Sequence, residues 1–72
     1  MKLSRQRQNE LMKLLIERYN VNGIVYWTAI ENILTKEENK EFNEFMIGQT
    51  CVKEGAFVCD VERFIKDLSV ID

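Results

Sequence analysis

The side chains best suited to chemistry are few in this chain and poorly arranged for it. There is no histidine among the 72 residues, which removes Ser-His and Cys-His nucleophile pairs and most transition-metal sites. Cys51 and Cys59 supply two thiols, too few without histidine to close a tetrahedral zinc site. They are expected to be free structural thiols in a reducing cytosol, with a redox pair as the alternative. Gly23, Gly48 and Gly55 lie far apart and none precedes a Lys-Ser or Lys-Thr pair, so no phosphate-cradling loop is present. Carboxylates are abundant, but a general acid or base needs a sheltered cleft that raises its pKa, and glutamates on a helix surface are solvated. These residue types point away from an enzyme and from any cofactor or metal, and toward binding.

Three groups of residues are candidates for binding. Lys2, Arg5, Arg7 and Arg18, with Lys13 and against Glu10 and Glu17, make residues 1–20 basic by three charges, while residues 21–72 are acidic by five within a net charge of −2. The basic end could meet phosphates, although a solvated start of the chain accounts for the same charges. Glu37, Glu41 and Glu44 recur at four and three residues and form an acidic ridge if that stretch is helical. Such a ridge either keeps the surface soluble or imitates phosphates in the basic groove of a partner. Tyr26 and Trp27, being neighbours, cannot both point inward, so one is expected to be partly exposed, as an aromatic anchor or as a cap on a small core.

Local signals place these groups on elements. Ser4 can cap a helix running to about Tyr19, with Leu11, Met12, Leu15, Ile16 and Tyr19 as its apolar face. Asn20-Val21-Asn22-Gly23 then stops it. Residues 25–34 are expected as a short helix with Thr28 and Glu31 as capping box, and a brief extended start over the strand-like Ile24–Trp27 is the alternative. Two helices across Asn20–Gly23 suggest helix-turn-helix, but residues 25–34 contain no Lys or Arg and carry Glu31, where a recognition helix wants cations. Thr35 and Glu38 form a second capping box for a helix that buries Phe42, Phe45 and Met46 and stops near Gly48. Cys51-Val52 and Ala56-Phe57-Val58 flank Lys53-Glu54-Gly55 and predict a tight hairpin whose Gly55 supplies a positive φ. Asp60 is the expected N-cap of a last helix with Val61, Phe64, Ile65, Leu68 and Ile71 on its apolar face.

The expected fold is mainly α, a small α+β arrangement of three or four short helices around one core with a short β-hairpin near residues 51–58. Residues 1–72 make a single domain, with residues 1–6 free to fray, because a chain this short supports one core. No apolar run approaches a membrane span, so a cytoplasmic protein without membrane contact is expected.

The string FNEFMIGQTCVKEGAFVCDVERFI, Phe42 to Ile65, resembles small orphan proteins of bacteriophages and prophages. In them an aromatic helix ends in Met-x-Gly-Gln-Thr, a short hairpin follows, and a helix begins Asp-x-x-Arg-Phe. Gly48-Gln49-Thr50, Asp60 and Arg63-Phe64 carry the likeness, which covers about a third of the chain; the hairpin lacks the tyrosines of that pattern near Phe57-Val58-Cys59. The resemblance implies an origin rather than an activity. With the acidic bulk of the chain, it makes the leading expectation a noncatalytic protein that blocks or redirects a host nuclease or defence complex through a basic surface on that partner. A small nucleic-acid accessory protein using the basic end, and a self-associating assembly protein, are the alternatives.

Overall fold

The computed structural model describes the backbone of residues 2–67 and 69–71, and side chains from Leu3 to Asp67. The chain opens with strand β1 (Lys2–Ser4) and helix α1 (Arg5–Leu11), whose Ser4 hydroxyl accepts from the Arg7 N–H at 3.1 Å, as its N-cap position predicts. Residues 2–6, expected free to fray, are held: β1 pairs in parallel with β5 (Ser69–Ile71) near the other end of the chain, and Leu3 is buried. The same pairing corrects the last helix, which stops at Asp67, so that Ile71 belongs to a strand; Leu68 lies outside the described residues.

Beyond Leu11 the first helix widens into a π-helical segment, Met12–Arg18, closed by the Tyr19 N–H on the Leu14 carbonyl at 3.0 Å. Widening changes the angle between successive side chains. Leu11 and Leu15 stay buried, whereas Tyr19, expected on the apolar face, turns out to the surface.

Asn20–Gly23 does more than stop a helix. Asn22 and Gly23 have φ of 53° and 85°, the left-handed pair that a two-residue hairpin loop demands. They join β2 (Asn20–Val21) to β3 (Ile24–Tyr26), with Val21 opposite Ile24. The extended start considered for the second piece is therefore the one observed. Helix α2 (Trp27–Ile33) follows at once, and the Trp27 N–H is held by the Glu54 carbonyl at 3.1 Å. Thr28 and Glu31 consequently sit inside the helix and do not form its cap.

The expected ribbon at 51–58 is also corrected. Val52 and Gly55 exchange backbone hydrogen bonds around Lys53-Glu54, but Cys51-Val52 is not a strand, and Gly55 has no positive φ. Instead β4 (Gly55–Phe57) pairs antiparallel with β3, Tyr26 opposite Gly55 and Val25 opposite Ala56, giving the sheet order β2-β3-β4. Glycine is required here for space, since a Cβ on Gly55 would stand 2.1 Å from the Val25 carbonyl oxygen. Helix α4 (Val58–Asp67) continues directly from β4, with the Val58 N–H on the Gly23 carbonyl at 2.8 Å. That bond starts the helix two residues before Asp60, which lies in the first turn rather than at the cap.

Helix α3 (Lys36–Phe45) is as read: Thr35 and Glu38 complete the capping box, and Gly48 takes φ 84° just beyond the helix end. The positions that carry the phage-type resemblance gather here. Arg63 donates to Gln49 at 2.7 Å and to Asp60 at 3.1 Å, and its guanidinium lies 5.3 Å from the Phe45 ring centre. The core combines Leu11, Leu15, Val25, Ile30, Phe42, Val61 and Ile65, with Phe64 edge-on to Phe42 at 5.0 Å. Mainly helical with a small antiparallel sheet, the molecule has the expected fold class. Cys51 and Cys59 are free thiols, as expected, and both are exposed.

One polar contact ties the helices together. The Arg7 guanidinium donates to both carboxylate oxygens of Glu38, at 3.0 and 2.7 Å, to the Ile33 carbonyl at 2.9 Å, and to Glu10. Glu38 is only 3% exposed, and it also accepts the Thr35 N–H at 2.9 Å. Arg7 first, then the bonds from Thr35, hold the Glu38 carboxyl below its ordinary range against the opposing effect of burial.

Two predictions follow from this frame. Because the folded pKa of Glu38 is depressed, its contribution is present above the ordinary glutamate range and is lost as pH falls through the folded pKa. Urea titrations should give Glu38→Gln a loss of about 2–3 kcal/mol at neutral pH, shrinking toward zero as the solution is acidified. An equal loss at every pH would contradict the assignment. Gly55→Ala should cost about 3 kcal/mol through the clash with the β3 backbone, while alanine at exposed Gln49 changes the urea midpoint far less.

Candidate protein-binding surface

The hairpin and α2 build a groove on the outside of the molecule. Tyr19 ends the π-helical segment, Val21 lies on β2, Tyr26 ends β3, and Thr28, Ala29, Asn32 and Ile33 form one face of α2, together enclosing about 230 Å³. The spacing of the α2 residues explains the wall. Positions 28, 29, 32 and 33 share one side of a helix whose other side buries Ile30. Tyr19, Val21 and Tyr26 are 40%, 43% and 43% exposed, and among the described residues Ile47 is the other large exposed apolar side chain. Exposed apolar residues thus collect around one hollow, the arrangement that marks interaction sites.

The lining has little capacity for acid–base chemistry. Its ionisable groups are the two tyrosines, and its hydrogen-bonding groups are their hydroxyls, the Thr28 hydroxyl and the Asn32 amide. Arg18 lies with its guanidinium 5.6 Å from the Tyr19 ring centre, adding a cation beside this wall. Two aromatic walls, small aliphatic floor residues and a few polar groups suit an apolar side chain with some backbone beside it.

The sequence-derived candidates are distributed unevenly around this site. Tyr26 lines the groove; Trp27 turns the other way, donating its indole N–H to the Lys53 carbonyl at 3.0 Å and meeting Phe42 at 6.4 Å between ring centres. One of the two neighbours is therefore exposed and the other is half-buried, as their adjacency requires. Glu37 and Glu44 are exposed on α3, while Glu41 is half-buried and has a partner of its own; none of the three lines the groove. The basic candidates do not assemble into one patch. Arg7 is spent on Glu38, Glu10 and Ile33, Arg5 is not free of partners, Arg18 lies over Tyr19, and the Lys2 side chain falls outside the described residues. Among the described residues no three His, Cys, Asp or Glu side chains gather where they could hold a metal ion, and no helix is long and apolar enough to cross a membrane.

Tyr19 and Val21 were not among the sequence candidates. The signal that could have found them is Asn22-Gly23 between β-branched residues, the strongest short-range hairpin signature, which places Val21 on a strand beside Tyr26.

The contrast between the adjacent aromatics is measurable. Trp27→Ala should cost about 2–3 kcal/mol through lost packing and the lost indole hydrogen bond, while Tyr26→Ala should stay within about 1 kcal/mol of the parent chain, both read by chemical denaturation followed by circular dichroism. Comparison with protein-family models, curated proteins and solved structures yields no match for this chain.

Proposed function

We propose that this chain is a noncatalytic binding protein that acts by protein–protein contact through the groove of Tyr19, Val21, Tyr26 and α2. The observation that carries this reading is the gathering of three exposed apolar side chains around one hollow whose lining has hydrogen-bonding groups but no carboxylate, thiol or amine. The exposed Glu37 and Glu44 on α3 favour partners with a basic surface by steering their approach. Blocking or redirecting a host nuclease or defence complex, the occupation suggested by the phage-type resemblance, is one form such binding takes. Nucleic-acid binding is the weaker reading, because Arg7 is committed within the molecule.

The test is affinity capture from bacterial lysate with and without nuclease, comparing the parent chain with Tyr26→Ala and with a Glu37→Lys/Glu44→Lys double variant. A stoichiometric protein partner retained by the parent and lost with Tyr26→Ala is the expected result, with a smaller, salt-sensitive loss for the charge variant. Partners that disappear on nuclease treatment, or that bind Tyr26→Ala as well as the parent, would overturn the groove as the binding surface.

A further inference from the structure

The polar groups around the groove are left open by the rest of the molecule. Among the described residues, the Tyr19 and Tyr26 hydroxyls, the Thr28 hydroxyl and the Asn32 amide have no hydrogen-bond partner within the chain. Arg18 is in a similar condition at the rim. Arg7 and Arg63 are bonded to carboxylates, and Arg5 has a partner of its own. Arg18 instead lies 5.6 Å from the centre of the Tyr19 ring, and no carboxylate of the described residues pairs with it. That seat on the ring restrains a long side chain and keeps a planar fork of donors beside the groove wall. No carboxylate lines the groove either.

Size and charge together narrow the occupant. A hollow of about 230 Å³ is smaller than the roughly 300 Å³ at which sites for whole drug-sized molecules begin. It takes one large side chain with adjoining backbone rather than a cofactor. The charge beside it is a single guanidinium, whose complement is one carboxylate; sites that read phosphorylated segments gather several arginines. We infer that the groove receives a peptide segment of a partner protein in which an aromatic or aliphatic side chain stands next to an aspartate or glutamate. The apolar side chain enters between Tyr19 and Tyr26, the backbone beside it meets Thr28 and Asn32, and the neighbouring carboxylate pairs with Arg18. The basic surface steered by Glu37 and Glu44 is a different part of that partner, because neither glutamate lines the groove. This assignment rests on the groove being a protein-contact surface and names the chemistry of the segment it takes.

Chemical-shift titration of the full chain with acetyl-Asp-Phe-Asp-amide, and with its Asn-Phe-Asn and Lys-Phe-Lys counterparts, up to about 10 mM, tests it. The Asp peptide should give saturating amide shifts centred on residues 18–33. The Asn peptide should bind about threefold more weakly, the scale of one exposed ion pair, and the Lys peptide more weakly still. The net charge of −2 would by itself produce the reverse order, so the preference isolates the local cation. Arg18→Gln should erase the difference between the Asp and Asn peptides while leaving the Asn affinity and the urea midpoint unchanged. Tyr26→Ala should weaken all three peptides at least tenfold. Equal affinities for the Asp and Asn peptides, tighter binding of the Lys peptide, an Asp preference that survives Arg18→Gln, or no shifts with the Asp peptide would each overturn the inference. Any of these results beside a lysate partner still lost with Tyr26→Ala removes the acidic segment and leaves the groove as a contact surface, whereas capture indifferent to Tyr26→Ala removes the groove reading itself.

Discussion

The contact between Arg7 and Glu38 is the constraint on which the other helices depend. Four tasks meet at it: Glu38 caps α3, Arg7 neutralises that buried carboxylate, the same guanidinium accounts for the carbonyl freed where α2 ends, and its bond to Glu10 steadies α1. The arrangement works because guanidinium presents several donors in one plane and a carboxylate receives two of them in parallel. A lysine in the same place would supply one point charge and would leave part of the corner unbonded. Asn39 seals the rest, its side-chain amide donating to the carbonyls of Glu31, Leu34 and Thr35. A buried ion pair adds little net stability over an apolar alternative, so its value here is in specifying how three short helices meet.

With that corner held, the sheet can be small. Strands of two or three residues do not persist alone, and here they lean on helices at both ends. Val25 and Ala56 are fully buried between the sheet and the helices, and the Trp27 and Val58 N–H groups are taken by carbonyls of the neighbouring turns. Turning the chain directly from strand to helix at Tyr26–Trp27 and again at Phe57–Val58 leaves no loop at either junction. The consequence for function is geometric. Tyr26, the last strand residue, is aimed outward beside the first turn of α2, and the widened helix end brings Tyr19 to face the same hollow.

Several features were legible along the chain. The Thr35–Glu38 capping box, the Ser4 cap, the Phe42–Phe45–Met46 stripe and the Val61–Phe64–Ile65 stripe were all read from neighbours three or four residues apart. The mainly helical class with a small amount of sheet followed from them. The acidic ridge was legible as spacing but not as surface, since Glu41 is half-buried with a partner while Glu37 and Glu44 are exposed. Arg7 and Glu38 were each noticed, one as a phosphate-binding candidate and the other as a cap, and nothing in either local pattern announced that they meet across 31 residues.

The sequence by itself determined the local elements, the absence of histidine and of a phosphate loop, and the adjacency that forces one of Tyr26 and Trp27 outward. These depend on residue type and on interactions within a helical turn. The tertiary structure decided that β3 pairs with β4 rather than Cys51-Val52 with residues 56–58, that the two ends of the chain join as β1 and β5, and that Tyr19, Val21 and Tyr26 share a groove. Each of those outcomes brings distant backbone segments together. Backbone hydrogen bonds look alike wherever they form, so the choice among pairings is made by what can be buried at once, and that depends on the whole core.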